Sequence, residues 1–164
     1  MTNLGMQKAL DAAEIPFVRA KVGDRYVMQE LKKRDWTLGG ESSGHIICLD
    51  KTTTGDGLVS ALQVLVQMQF MEKPLDKLAS EMKMYPQTMI NVQLPSGTNA
   101  SEVCVMDTVL QEVSKTEKEL AETGRVLLRP SGTEPVIRVM VEGQDEAQVN
   151  SCCESLADFV SKQL

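Results

Sequence analysis

Apolar residues along this chain recur first at helical spacing, then in short runs, then in strict alternation, and each change of period marks a new element. Residues 3–14 carry a helical pattern with Thr2 or Asn3 as its cap. Pro16 opens a short strand-like run at 17–20. Asp24 is placed to cap a second helix that reaches about residue 35. Residues 36–38 and 45–49 read as strands, with Gly39-Gly40 breaking the chain between them. Residues 52–57 then open a long apolar helix that runs to about residue 71. Helices separated by short apolar strands predict an α/β layer with a parallel or mixed sheet.

The second half has a different rhythm. Lys73-Pro74 and Tyr85-Pro86 bracket a charged, helical linker. Residues 88–94 alternate, with Ile90, Val92 and Leu94 on one face and Asn91 and Gln93 on the other. After a loop at 95–99, residues 101–121 place Val103, Met106, Val109, Leu110, Val113 and Leu120 on one stripe of a single helix. Strands follow at 125–128 and 136–142, and a last helix starts near Asp145. This β-α-β-β-α order predicts a complete small α+β domain over 88–164, an antiparallel sheet with two helices on one face. Arg138 alternates with Ile137 and Val139 and so faces away from that core.

The first unit, 1–72, is expected to be a truncated α/β domain of three-layer type, with 73–87 as hinge. Two or three short strands are too little sheet to cover a helix as apolar as 58–71. The chain is therefore read as the C-terminal part of a larger protein. The edge left by missing strands would suit pairing with a second copy, so a homodimer is one expected partner.

Composition narrows the function classes. A formal net charge of −6 argues against a nucleic-acid partner, which requires clustered Lys and Arg. No apolar run approaches membrane-spanning length and no signal peptide is visible, so a cytoplasmic protein without a membrane partner is expected. Cys48, Cys104, Cys152 and Cys153 form no C-x-x-C pair and read as packed thiols in a reducing compartment.

Two stretches carry candidate chemistry. Residues 129–135, Arg-Pro-Ser-Gly-Thr-Glu-Pro, lie between two apolar runs. Arg129 offers a planar pair of charged donors, Ser131 and Thr133 offer hydroxyls, and Gly132 lets backbone approach an anion. That set suits a phosphate, to which Arg138 on the next strand adds charge; the alternative is a hairpin whose Ser, Gly and Pro only make the turn. The second stretch, Gly40-Glu41-Ser42-Ser43-Gly44-His45, joins two strands. In an extended segment Glu41, Ser43 and His45 would point the same way and meet vicinal sugar hydroxyls. His45, the only histidine, is also a proton-transfer candidate. Read as residues alone, a solvated Glu41 and a backbone-satisfied His45 stand equally well.

Together these segments resemble the phosphohexose mutase family. Gly40-Glu41-Ser42-Ser43-Gly44-His45 is similar to its sugar-recognition loop, and residues 129–135 to the phosphate loop of its last domain. Lys21-Val22-Gly23-Asp24-Arg25-Tyr26-Val27 and Asp50-Lys51-Thr52-Thr53-Thr54-Gly55-Asp56-Gly57 resemble the bacterial phosphoglucosamine mutase branch. The resemblance covers nearly the whole chain and implies a parent enzyme of four domains. Such an enzyme interconverts glucosamine 6-phosphate and glucosamine 1-phosphate through a bisphosphate, toward UDP-N-acetylglucosamine. It implies that Glu41, Ser43, His45, Asp24 and Arg25 contact a phosphorylated amino sugar, with His45 near the reacting hydroxyls. Arg129, Ser131, Gly132 and Thr133 would hold the phosphate that is not transferred. The family's phosphoserine loop and its Mg2+-binding Asp-x-Asp-x-Asp loop have no counterpart in the sequence. Nucleophile and Mg2+ ligands are thus assigned to missing N-terminal domains, and no metal ligand to this chain. A phosphomannomutase or phosphoglucomutase relative, and a stand-alone phosphosugar-binding fragment without catalysis, are the alternatives.

Overall fold

The structure, a computed structural model, describes residues 2–164, which divide into a first unit ending at Lys83 and a second spanning Met84–Leu164.

In the first unit, α1 (Leu4–Ala12) starts at Asn3, whose side chain accepts from the Gly5 N–H. The strand expected at 17–20 is absent; those residues are irregular. A strand requires a neighbour to satisfy its backbone, and the described residues supply none there. Helix α2 (Asp24–Arg34) begins one residue earlier than the capping pattern implies. Gly23 is the N-cap, at φ +121°, a region that favours glycine, and Asp24 is the first helical residue. Gly23 offers no side-chain capping bond.

Strands β1 (Leu38–Gly40) and β2 (Ile46–Cys48) form an antiparallel two-stranded ribbon, Gly40 opposite Ile46. The expectation of a parallel or mixed sheet fails here. A five-residue connection is too short for a crossover and can only turn the chain back. Helix α2 lies on β1 so closely that a Cβ on Gly39 would come within 2.7 Å of a Val27 methyl and 3.1 Å of Leu31. Leu31, Ile47 and Cys48 are buried. Helix α3 (Gly57–Met71) is capped by Asp56, which accepts from the Leu58 and Val59 N–H groups. The small ribbon leaves Leu58, Leu62, Leu65, Val66 and Phe70 of α3 exposed. A short α4 (Leu75–Ala79) follows within the expected linker.

The second unit has strand order β3-β5-β4, all antiparallel: β3 (Gln87–Gln93), β4 (Gly124–Pro130) and β5 (Val136–Gly143). Helices α5 (Ala100–Cys104), α6 (Asp107–Leu120) and α7 (Glu146–Ser161) cover one face. The single helix expected at 101–121 is thus broken at Val105-Met106. Val103 and Val109 explain the break. Six residues apart on one continuous helix they would point about 120° apart, yet both are buried in the same core. Ile137, Val139 and Val141 of β5 face this core with Val149, Cys153, Leu156 and Val160 of α7. Cys48, Cys104, Cys152 and Cys153 are all unbridged thiols, and burial pushes the Cys104, Cys152 and Cys153 thiols up.

The opposite face of the same sheet is polar in two places. Glu142, fully buried, accepts from Arg125 Nε at 2.7 Å across the β4–β5 ladder. Two side-chain periods along the strands, past Met140, Asn91, Arg138 and Arg129 form a row in register.

Candidate functional site

The 131–135 connection is fixed by its ends. Ser131 N–H donates to the Val136 carbonyl at 3.0 Å, and Val136 N–H to the Glu134 carbonyl at 2.8 Å. Pro130 is tolerated because β4 is an edge strand. The tip stands clear: Gly132, Thr133, Glu134 and Pro135 are exposed, Ser131 is half-buried, and a Cβ built on Gly132 meets nothing within 4 Å.

Below this tip Arg129 and Arg138 sit directly opposite each other on β4 and β5. Residues so paired have Cβ atoms about 4.5–5.5 Å apart, and like charges there repel. Arg138 is the one residue of β5 that is not buried. Among the described residues Arg129 meets no acid; its Nη1 donates to the Pro130 carbonyl at 3.4 Å. Arg138 Nη2 donates to Glu134 Oε2 at 2.8 Å. The Nε atoms of both arginines are buried and have no hydrogen-bond partner among the described residues. Two arginines facing each other across the ladder bring together charged donors suited to a multiply charged anion. Beside it an open groove of about 580 Å³ runs between residues 94–100 and Glu134-Pro135. A larger trough, about 680 Å³, is lined by one side of α6 alone and holds none of the candidate residues.

In the first unit the 41–45 connection is a turn rather than an extended segment. Glu41 N–H donates to the His45 carbonyl at 2.9 Å, Gly44 N–H to the Glu41 carbonyl at 3.0 Å, and Gly44 has φ +94°. Strand-like alternation of Glu41, Ser43 and His45 therefore does not occur. The turn itself brings Glu41 and His45 together, and Ser43 stands exposed at its tip.

Asp24 joins them from α2. His45 Nδ1 lies 3.0–3.1 Å from the two Asp24 carboxylate oxygens, and the Gly23 N–H donates to Glu41 Oε1 at 2.7 Å. Hydrogen bonding to Glu41, followed by the His45 contact, holds the Asp24 carboxyl below its usual range. Arg25 is exposed on the same first turn of α2. Among the described residues, Asp24, Glu41 and His45 are the one group of three potential metal ligands within 4.8 Å of one another. It is poorly suited to Mg2+, which takes oxygen ligands in near-octahedral array. One of the three is an imidazole already bonded to Asp24, and Glu41 is occupied by a backbone N–H.

Sequence reasoning brought out Arg129, Ser131, Gly132 and Thr133, and the structure places them on one loop. It also singled out Arg138 for its charge, but not its position opposite Arg129. It missed Glu134. The visible signal was an acid four residues before an arginine across a turn. The association of Asp24 with His45 had no local signal, since twenty-one residues separate them.

Comparison with known proteins agrees with this division. Residues 1–85 match the family model for phosphoglucomutase/phosphomannomutase alpha/beta/alpha domain III, and residues 89–159 the model for the C-terminal domain. A phosphoglucosamine mutase of Aeromonas salmonicida is 54% identical over 160 residues, covering 98% of this chain and 35% of the relative. One of Nitrosococcus oceani is 54% identical over 164 residues, covering the whole chain and 36% of the relative. The chain thus spans about a third of the length of the curated relatives it matches. Among solved structures, an N-acetylglucosamine-phosphate mutase in its substrate complex superposes with TM-score 0.79 at 19% identity, over 97% of this chain and 37% of that one. The Aspergillus fumigatus N-acetylphosphoglucosamine mutase in complex with GlcNAc-6P and magnesium gives 0.74 at 15% identity, over 94% and 38%. At such identities the likeness concerns fold alone.

Proposed function

This chain belongs to the phosphoglucomutase/phosphomannomutase family, and from that premise we propose that it carries the sugar- and phosphate-recognition loops of a phosphoglucosamine mutase. The parent enzyme interconverts glucosamine 6-phosphate and glucosamine 1-phosphate through a bisphosphate, for UDP-N-acetylglucosamine synthesis. The observation that carries the reading is the facing Arg129–Arg138 pair, with both Nε donors unsatisfied among the described residues, beneath an open Ser-Gly-Thr tip. Arg129 and Arg138 take the phosphate oxygens, Ser131 and Thr133 add hydroxyl donors, and Gly132 leaves room for the anion.

The turn of the first unit handles the ring. Glu41, steadied by the Gly23 N–H, accepts from sugar hydroxyls, and Ser43 and Arg25 supply further polar contacts. His45 directs Nδ1–H at Asp24, which leaves Nε2 as the acceptor that takes a hydroxyl proton. Two carboxylates, Asp24 and Glu41, lie side by side here. A 2-ammonium group on the sugar relieves their mutual repulsion, and this favours an amino sugar over a neutral one.

Phosphoryl transfer also requires an in-line nucleophile and charge stabilisation. This chain offers the clamps and not the nucleophile, so purified 1–164 is expected to bind without turnover. Mg2+ belongs with the parent enzyme's nucleophile and not with the Asp24 cluster. Calorimetry with glucosamine 6-phosphate, glucose 6-phosphate and mannose 6-phosphate tests the reading. Binding of the amino sugar ahead of the other two, abolished in Arg129→Ala, is expected. Equal affinity for all three would remove the amino-sugar assignment, and no loss in Arg129→Ala would remove the phosphate assignment.

A further inference from the structure

The phosphate loop carries its own counter-ion. Glu134 sits at the tip, between the hydroxyl residues and β5, and its Oε2 accepts from Arg138 Nη2 at 2.8 Å. The Glu134 side chain is 55% exposed and that of Arg138 27%, so the bond lies at the mouth of the site. Arg138 is the same guanidinium that faces Arg129 across the ladder. Without an anion, the two like charges would stand unrelieved in a half-buried position; Glu134 relieves them in part. An arriving phosphate needs the donor that Glu134 holds.

We infer that Glu134 is a resident competitor for the phosphate subsite, a carboxylate that occupies Arg138 in the empty state and is displaced when the dianion binds. The inference rests on the phosphate reading of the 129–133 loop and adds a residue that weakens binding by design of position. The exchange is balanced: one charge-assisted bond to Arg138 is broken and one is formed, so net affinity comes from Arg129, the hydroxyls and the backbone. A subsite built this way releases its phosphate readily. That property suits a ligand that must leave and return in the opposite orientation.

Geometry separates this role from a merely positioning one. Gln at 134 keeps an oxygen for Arg138 and removes the charge; Ala removes both. A competitor predicts tighter phosphate binding in both variants. A positioning residue predicts weaker binding in Glu134→Ala.

The test is titration of the 164-residue chain with inorganic phosphate, followed by NMR or calorimetry, for wild type, Glu134→Gln, Glu134→Ala and Arg129→Ala. Both Glu134 variants are expected to bind about two- to fivefold more tightly, the size of an exposed ion-pair effect. The gain should shrink as salt screens the carboxylate. Unchanged or weaker binding in the Glu134 variants, with binding lost in Arg129→Ala, would overturn this inference and leave the phosphate reading standing. Binding by wild type that survives in Arg129→Ala, or no binding by wild type at all, would sink both.

Discussion

Arg129 and Arg138 are cross-strand partners in the β4–β5 ladder, and neither Nε finds an acceptor among the described residues although both are buried. Such an arrangement is unfavourable without an anion, so stability and binding should move in opposite directions when one arginine is removed. Arg129→Ala should weaken phosphate binding about ten- to a hundredfold, the worth of a charge-assisted bond lost, and Arg138→Ala much less, because Arg138 exchanges one carboxylate bond for one phosphate bond. Thermal unfolding at low salt should stay level or rise, because the like-charge pair is gone. A fall in both quantities would mean the arginines serve packing instead.

Gly132 offers a sharper separation of fold from site. Its φ lies outside the left-handed region and its Cβ direction is empty. Gly132→Ala should therefore fold normally, with a gain of about 0.4–1 kcal/mol from the reduced freedom of the unfolded chain. If the proposed phosphate subsite holds, the added methyl enters the open space above the loop, and phosphate affinity should fall at least several-fold. Urea unfolding and phosphate titration on the same samples would report the two effects independently.

Asp24 links the sugar-side cluster to pH. Its ordinary value is 3.8, and its bonds to Glu41 and His45 lower it in the folded protein. A lowered carboxyl contributes to stability above the unfolded value, and the contribution is lost as pH falls through the lower folded value. The window thus lies below pH 3.8. Carbon-detected NMR should show the Asp24 carboxyl titrating there, with the midpoint rising in Glu41→Ala, which removes the hydrogen-bonding partner. A midpoint at or above 3.8 in the wild type would show that the cluster does not form.

Arg125 and Glu142 form the buried ion pair on the same sheet face, at 2.7 Å, with Glu142 fully buried and the Arg125 side chain 20% exposed. Breaking a buried ion pair by removing one member is costly, so Arg125→Ala should cost about 3 kcal/mol by urea unfolding. Replacing both by apolar residues of similar volume should recover most of that loss. A cost below about 0.5 kcal/mol for Arg125→Ala would mark the pair as effectively solvated.

Much of the second unit was legible from period alone. Alternation at 88–94 turns Ile90, Val92 and Leu94 toward the core and Asn91 and Gln93 to the other face, whereas β5 is buried on both faces except at Arg138. Arg138 was read correctly as pointing away from the helices for this reason. The helix break at Val105-Met106 was not legible, because the apolar stripe at 101–121 is compatible with one helix until two valines must reach the same sheet. The absent strand at 17–20 failed similarly: an apolar run shows the capacity for a strand, but a partner makes one.

The candidate sites divide along the same line. The amino-acid order by itself determined which residue types crowd the 129–135 loop and the 40–45 turn, since a hairpin tip draws its chemistry from contiguous residues. Tertiary structure alone decided that Arg129 meets Arg138 in register, that Glu134 reaches back to it, and that Asp24 descends on His45 from a helix seated against Gly39. The first two lie within one hairpin and depend on its register and turn geometry, and the third on helix docking across twenty-one residues; none leaves a periodic trace in the chain.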